Sequence, residues 1–189
     1  MGNKVVIAGV PGVGKTTVIN GALDILEAEG IIYRSINFGT FMFEVASSEG
    51  LVKDRDEMRK LDQEAQKRLQ KTAAQRIGQI KDNIIVDTHC SVKTPRGFLA
   101  GLPEWVLREL QPTMVILVET DEDQILSRRL SDETRIRDME GYMGIKDHQQ
   151  FNRFLAASYA MLTGCIVKFV KNPDFLLDNA IAEMAELLR

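Results

Sequence analysis

The eight residues from Gly9 to Thr16 read GVPGVGKT and fit the phosphate-loop pattern G-x-x-x-x-G-K-[ST]. Glycines let such a loop turn its backbone N–H groups inward without Cβ clashes, and the helix that follows adds positive partial charge at its N-terminus. In this pattern the Lys15 ammonium reaches the β- and γ-phosphates, and the Thr16 hydroxyl ligates Mg²⁺. A chain of this length matches by chance less than about 1% of the time. The loop therefore predicts a nucleoside triphosphate site and disfavours a plain strand-to-helix turn.

A carboxylate ends an apolar run further along the chain. Asp87 closes the segment 83–87 (NIIVD), which has the composition of a buried strand. A carboxylate at the carboxyl end of a strand near a phosphate loop holds Mg²⁺ directly or through water. The alternative is that Asp87 only forms a turn, because aspartate is frequent in turns. With the phosphate loop present, metal binding is the favoured interpretation.

Four arginines within ten residues follow the next apolar strand and indicate a small lid. They are Arg128, Arg129, Arg135 and Arg137. A delivered arginine that neutralises the moving phosphoryl group is worth roughly 10³–10⁵ in rate, or about 4–7 kcal/mol of barrier. Acidic residues are interleaved, so the alternative is a solvated, salt-bridged helix end. Since neighbouring residues of a helix point about 100° apart, we expect that Arg128 and Arg129 do not both face the site.

Two polar segments that follow other predicted strands are candidates for holding a second phosphate. The first comprises residues 37–40 (NFGT) and 54–61 (DRDEMRKL), and the second comprises residues 88–103. The carboxyl ends of parallel strands meet at one edge of a sheet, which is where α/β proteins bind ligands. Both segments carry cations suited to clamping an acceptor phosphate.

Short apolar runs alternate with helical patterns along the whole chain. Strands are predicted at residues 4–8, 31–36, 83–87, 114–118 and 165–170, and helices at 15–29, 54–80, 103–110, 120–130 and 174–188. Near-continuous apolar strands separated by helices indicate an α/β fold, in which a parallel sheet is covered on both faces. We expect a single domain, because no repeat or linker is visible.

Composition narrows the function classes. The net charge of −3 gives no global basic field for nucleic acid or an anionic membrane. No apolar run approaches the roughly 20 residues of a transmembrane helix, and no signal-peptide layout opens the chain, so we expect a cytoplasmic protein. Cys90 and Cys165 lack metal-ligand spacing and are expected to be buried thiols.

Taken together, these segments closely resemble the archaeal-type adenylate kinases. The motifs that carry the resemblance keep their order and span nearly the whole chain: GVPGVGKT at 9–16, NFGT at 37–40, DRDEMRKL at 54–61, VDTH at 86–89, KTPRGFLAGLP at 93–103 and RRLSDETRIRD at 128–138. The resemblance implies Mg²⁺-dependent, reversible transfer of the γ-phosphoryl of ATP to AMP, giving two ADP. It also implies a P-loop fold with a five-stranded parallel sheet, and the family is often trimeric.

By the same resemblance the chain is divided into a core, an insertion and a lid. The core comprises residues 1–36, 81–127 and 160–189, the insertion that binds the nucleoside monophosphate covers about 37–80, and the lid covers about 128–145. In KTPRGFLAGLP, Ala100 stands where many relatives have proline, which implies a less rigid loop.

The resemblance also implies individual site residues. The residues expected to bind ATP are Gly9, Val10, Pro11, Gly12, Val13, Gly14, Lys15, Thr16 and Thr17, and those expected to bind AMP are Gly39, Thr40, Arg59, Lys93 and Arg96. Thr16 is expected to bind Mg²⁺ directly and Asp87 to bind it through water. The residues expected to act in catalysis are Lys15, Arg128, Arg135 and Arg137. No catalytic base is expected, because the attacking phosphate oxygen of AMP is already an anion. His89 is therefore expected to be structural.

Two other functions stay open at this point. The first is a kinase of the same class with another small acceptor, such as CMP or UMP, because the residues that select the acceptor base are not identified. The second is a switch or assembly ATPase, since a phosphate loop also occurs in those classes.

Overall fold

A computed structural model describes residues 2–131 and 141–189, and the side chain of Arg59 lies outside the description. The strands are β1 Lys4–Ala8, β2 Arg34–Asn37, β3 Ile84–Asp87, β4 Ser91–Thr94, β5 Gly97–Ala100, β6 Met114–Glu119 and β7 Ile166–Lys171. The helices are α1 Lys15–Ala28, α2 Phe38–Ser48, α3 Arg55–Lys60, α4 Gln63–Gly78, α5 Glu104–Leu110, α6 Glu122–Ser131, α7 Tyr142–Thr163 and α8 Leu177–Leu188.

Within the described residues, five parallel strands form one sheet in the order β2-β3-β1-β6-β7, as the α/β prediction requires. The sheet separates two hydrophobic cores, and alternate residues of β1 point into each. Val6 and Ala8 lie in the core completed by α2, α4, α5 and α7. Val5 and Ile7 lie in the core completed by α1, α6, α8 and the start of α7. The prediction of a parallel sheet buried on both faces is confirmed.

The predicted second strand begins too early. Ile31 and Ile32 precede β2, because the chain first closes α1: Gly30 has φ 78° and the Ile31 N–H donates to the Leu26 carbonyl at 2.8 Å. This bond, together with that from Gly30 to Glu27, forms a Schellman motif, which ends a helix at a left-handed glycine. Two β-branched residues therefore belong to a helix cap rather than to the sheet.

The predicted long helix from residue 54 to 80 is wrong in its continuity. It is divided into α3 and α4, because Leu61 takes an extended conformation with ψ 141°. Asp62 then caps the second helix, its Oδ1 accepting the Ala65 N–H at 2.8 Å. Asp54 caps α3, its Oδ1 accepting the Glu57 N–H at 2.8 Å, and the Glu57 carboxylate accepts the Lys53 N–H at 2.7 Å.

A β-hairpin made of β4 and β5 follows β3 and was not predicted from the sequence. It is fastened to α7 by buried hydrogen bonds: the Tyr159 hydroxyl donates to the Cys90 carbonyl at 2.8 Å, and the Ser91 hydroxyl donates to Asn152 Oδ1 at 2.6 Å.

Both cysteines are free and buried, as predicted, and burial raises the pKa of the Cys90 thiol to about 12. In the described ranges, no helix is long and apolar enough to cross a bilayer.

Candidate active site

The phosphate loop connects β1 to α1. Gly12 and Gly14 adopt φ values of 94° and 84°, which residues with a Cβ rarely take. Gly14 is the N-cap of α1 and has no side-chain cap hydrogen bond, and the first turn of α1 has no acidic residue. The N-terminal end of this helix thus presents backbone amides and positive partial charge that no carboxylate of its first turn neutralises.

The side chain of Lys15 forms an ion pair with Asp87 across the loop. Asp87 Oδ1 contacts the Lys15 ammonium, and Asp87 Oδ2 accepts a hydrogen bond from Asn37 Nδ2 at 3.2 Å. The sheet register causes this meeting, because Asp87 stands beside Ile7 of β1 on one side and Asn37 of β2 on the other. Burial lowers the pKa of Lys15 to about 8, despite the neighbouring carboxylate.

Both arginines at the end of α6 contact the phosphate loop. Arg128 Nη1 donates to the Val13 carbonyl at 3.1 Å, and Arg129 Nε donates to the Pro11 carbonyl at 2.7 Å. Both side chains thus reach the loop, but through its carbonyl groups, so the expectation that Arg128 and Arg129 do not both face the site stays a prediction. Long guanidinium side chains reach different carbonyls of one loop even though they leave the helix in different directions.

The segment after β7 also reaches the loop, and the sequence reasoning missed it. Asn172 is 4% exposed, and its Nδ2 donates to the Val13 carbonyl at 2.9 Å. Two residues later, Asp174 Oδ1 accepts hydrogen bonds from Arg128 at 2.6 and 2.9 Å. The sequence did contain a signal, because the polar residues Asn172 and Asp174 follow the last predicted strand and therefore lie at the same sheet edge as Asp87.

A buried carboxylate joins the ends of β6 and β7. Glu119 is 3% exposed and accepts two hydrogen bonds from Arg153 at 2.7 and 2.6 Å and one from Lys171 at 3.0 Å. Burial alone would raise the pKa of Glu119, but the hydrogen bonds and charges of Arg153 and Lys171 outweigh it and hold that pKa below its usual value. The Glu119 carbonyl accepts the Asn172 N–H at 2.8 Å, so this pair continues the β6–β7 ladder by one residue.

On the acceptor side, the NFGT segment forms the start of α2. Asn37 is its N-cap, with Oδ1 accepting the Thr40 N–H at 3.0 Å. Arg55, which the sequence reasoning did not select, donates from Nη2 to the Thr40 hydroxyl at 2.7 Å and lies 5.8 Å from the centre of the Phe43 ring. Gly39 and Thr40 are therefore linked through Asn37 to Asp87, and hence to the phosphate loop.

The remaining predicted site residues lie on the β4–β5 hairpin, on α3 and in the predicted lid. Lys93 lies in β4 and Arg96 in the turn before β5, on the hairpin that follows Asp87. The backbone of Arg59 lies in α3. Arg135 and Arg137, with the rest of segment 132–140 of the predicted lid, lie outside the described residues.

The residues predicted to hold Mg²⁺ fit that ion. No group of three or more histidine, cysteine, aspartate or glutamate side chains is placed to bind a metal in residues 2–131 and 141–189. Magnesium in nucleotide sites is usually held by one or two protein oxygens together with phosphates and water, and so does not need such a group. Asp87 and the exposed Thr16 of the first helical turn supply that kind of donor set.

Comparison with known proteins decides the family. Residues 8–146 match the family model described as "AAA domain". Relatives named adenylate kinase match the entire chain over their entire length, with 62% identity for that of Methanoculleus marisnigri and 55% for that of Methanocaldococcus jannaschii. The chain belongs to the adenylate kinase family. The resemblance drawn from the sequence motifs is thereby confirmed.

Solved structures agree with this fold. A shikimate kinase from Bacteroides thetaiotaomicron superposes with a TM-score of 0.59 at 13% identity, covering 98% of both chains. A shikimate kinase from Acinetobacter baumannii gives the same TM-score at 12% identity, covering 100% of this chain and 93% of the other. At such low identity the likeness shows the fold alone, so the adenylate kinase family assignment rests on the full-length relatives.

We expect Glu119→Gln to lower the free energy of unfolding by about 1–3 kcal/mol at pH 7, because charged hydrogen bonds to Arg153 and Lys171 become weaker. The folded-state pKa is depressed, so the stabilisation exists above the unfolded pKa and is lost as pH falls through the folded one. Urea unfolding from pH 7 to pH 3 measures the difference between the two proteins.

The difference from the wild type is therefore expected to shrink as the pH falls below about 4.5. Glu183→Gln, on the exposed side of α8, is the matched control and is expected to change stability by less than about 0.5 kcal/mol. A difference for Glu119→Gln that stayed constant with pH would contradict the ionised pairing.

Proposed function

We propose that the chain catalyses reversible, Mg²⁺-dependent transfer of the γ-phosphoryl of ATP to AMP, giving two ADP. The observation that carries this proposal is the connection between two segments at one sheet edge. The phosphate loop contacts Asp87 through Lys15, and Asp87 contacts the acceptor segment through Asn37. Donor and acceptor segments thus share one hydrogen-bonded chain, and the relatives named adenylate kinase support AMP as the acceptor.

On the donor side, the residues from Gly9 to Thr17 would hold ATP. The loop amides and the N-terminus of α1 supply fixed hydrogen-bond donors and partial charge, and Lys15 supplies a full charge that is half-buried and close to the transferring group. Bound Mg²⁺ would neutralise phosphate charge beside Thr16 and Asp87. A phosphate group in this place would compete with Asp87 for the Lys15 ammonium.

On the acceptor side, a positively charged side chain held beside the NFGT segment supports the proposed AMP site. Arg55 is held by Thr40, and Thr40 by Asn37, so a guanidinium is already fixed next to the NFGT turn. We assign the AMP phosphate to Arg59, with Lys93 and Arg96 as further cations and Gly39 and Thr40 near the nucleoside. The attacking oxygen of AMP is anionic at neutral pH, so positioning and charge neutralisation suffice and no side chain must remove a proton.

The remaining assignments stay predictions. Arg128 contacts the phosphate loop, and Arg135 and Arg137 are proposed to neutralise the transferring group. The division into core, insertion and lid keeps its predicted bounds, although Leu69 and Ala73 of α4 lie in the same core as the sheet residue Val86. A homotrimer in the cytoplasm is expected from the family resemblance, and sedimentation velocity measures the oligomeric state.

The first prediction for this function concerns the acceptor. Purified protein with Mg²⁺ and ATP is expected to form ADP rapidly with AMP and at least about 100-fold more slowly without it, because an acceptor held next to the γ-phosphoryl group reacts far faster than bulk water. A panel of nucleoside monophosphates, read by coupled ADP detection, measures this. Equal ADP formation with and without AMP would identify an ATPase, and a preference for CMP or UMP would identify another acceptor.

The second prediction separates the two nucleotide sites. Lys15→Ala is expected to reduce kcat at least 100-fold, because it removes the charge nearest the transferring phosphoryl group. Arg59→Ala is expected to raise the KM for AMP about tenfold or more and to leave the KM for ATP within twofold. Lys60→Ala, the exposed neighbour of Arg59, is the matched control and is expected to leave both KM values unchanged. A rise in the KM for ATP alone would show that Arg59 serves the donor.

A further inference from the structure

Two carbonyl groups of the phosphate loop accept hydrogen bonds from side chains that belong to other elements. The Pro11 carbonyl accepts from Arg129 Nε at 2.7 Å, and the Val13 carbonyl accepts from Arg128 Nη1 at 3.1 Å and Asn172 Nδ2 at 2.9 Å. These donors come from α6 and from the segment after β7. Neither element is part of the loop that they contact.

Because the peptide bond is planar, these contacts also determine where the neighbouring N–H groups point. In a trans peptide, the C=O of one residue and the N–H of the next point in opposite directions. The described residues contain no cis peptide bonds. Holding the Val13 carbonyl outward therefore turns the Gly14 N–H toward the opposite side of the loop. The same reasoning applies to Pro11 and the Gly12 N–H.

Asn172 is held through its backbone as well as its side chain. Its backbone N–H is fixed by the Glu119 carbonyl at 2.8 Å, and its own carbonyl accepts from Arg128 Nη2 at 3.0 Å. Its side chain is buried and fills the space beside Gly14, where a Cβ would approach Asn172 Nδ2 to 2.5 Å. Position 14 therefore favours glycine for two reasons: its φ is left-handed, and the side chain of Asn172 occupies the place that a Cβ would need.

We infer that Asn172 is a positioning residue for ATP: by holding the Val13 carbonyl it aims the Gly14 amide at the donor phosphates. The inference rests on the proposed function for the identity of the donor. Asn172 acts through the loop backbone and is distinct from the residues assigned to the phosphates themselves. An asparagine suits this place because its amide donates to a carbonyl, which a carboxylate of the same shape is unable to do.

The test compares Asn172→Asp with Asn152→Asp, which is matched in chemistry and burial. Asn152 lies on α7, is 3% exposed and accepts a hydrogen bond from the Ser91 hydroxyl rather than contacting the loop carbonyls. The probe is adenylyl imidodiphosphate, a non-hydrolysable ATP analogue, titrated with Mg²⁺ by calorimetry. Steady-state kinetics give the KM values for ATP and AMP, and thermal unfolding gives the stability of each variant.

We expect Asn172→Asp to weaken binding of the analogue about tenfold and to raise the KM for ATP similarly, with the KM for AMP within twofold. Asn152→Asp is expected to bind the analogue like the wild type, even if it lowers the melting temperature more. Asn172→Ala is measured beside these variants, so that the comparison survives if the aspartate variant does not fold.

Unchanged binding of the analogue in a folded Asn172 variant would overturn the inference. Equal losses of analogue binding in the Asn172 and Asn152 variants would also overturn it, because they would reflect general destabilisation. Failure of the proposed function is a different result, namely a wild-type protein that transfers no phosphoryl group to AMP. The analogue titration judges the role of Asn172 in either case.

Discussion

A chain of phosphates held away from bulk water needs donors that already point at it, and this requirement governs the carboxyl edge of the sheet. Backbone amides are suited to the task because they are fixed by the chain, but each comes with a carbonyl directed the other way. The loop meets this condition by having its outward carbonyls bound by Arg128, Arg129 and Asn172. Elements distant in sequence are thus needed to shape eight residues of backbone.

The parallel sheet supplies those elements at one place. Asn37, Asp87, Glu119 and Asn172 stand at or just beyond the carboxyl ends of four different strands. Because every strand of this sheet runs in the same direction, polar residues that follow the apolar runs are collected along a single edge. The apolar strands therefore provide both the buried cores and the alignment of the charged groups.

Charge pairing at this edge prepares the site for nucleotides. The half-buried Lys15 is paired with Asp87, and Arg128 with Asp174, so both cations have carboxylate partners within the fold. An incoming phosphate would take the place of Asp87 as the partner of the Lys15 ammonium. The cost of removing the ammonium and guanidinium groups from water is thus met by the fold rather than by the substrate.

Sequence reasoning located the phosphate loop, the parallel sheet and Asp87, because glycine spacing and β-branched runs are local signals. It missed α7, whose buried face carries His148, Gln149 and Asn152 among its apolar residues and so lacks the usual apolar stripe. It also missed Asn172 and did not predict that Arg128 and Arg129 bind carbonyl groups of the loop. Their contacts depend on how α6 and the end of β7 meet the loop, which is a tertiary property without a local pattern.

The most direct test of the account is the number of nucleotides that one chain holds at once. Calorimetric titration of AMP into protein saturated with Mg²⁺ and adenylyl imidodiphosphate measures it, with the reverse order as a check. The account predicts one AMP bound per chain beside one analogue, with neither displacing the other. Competition of AMP with the analogue for a single place would contradict it.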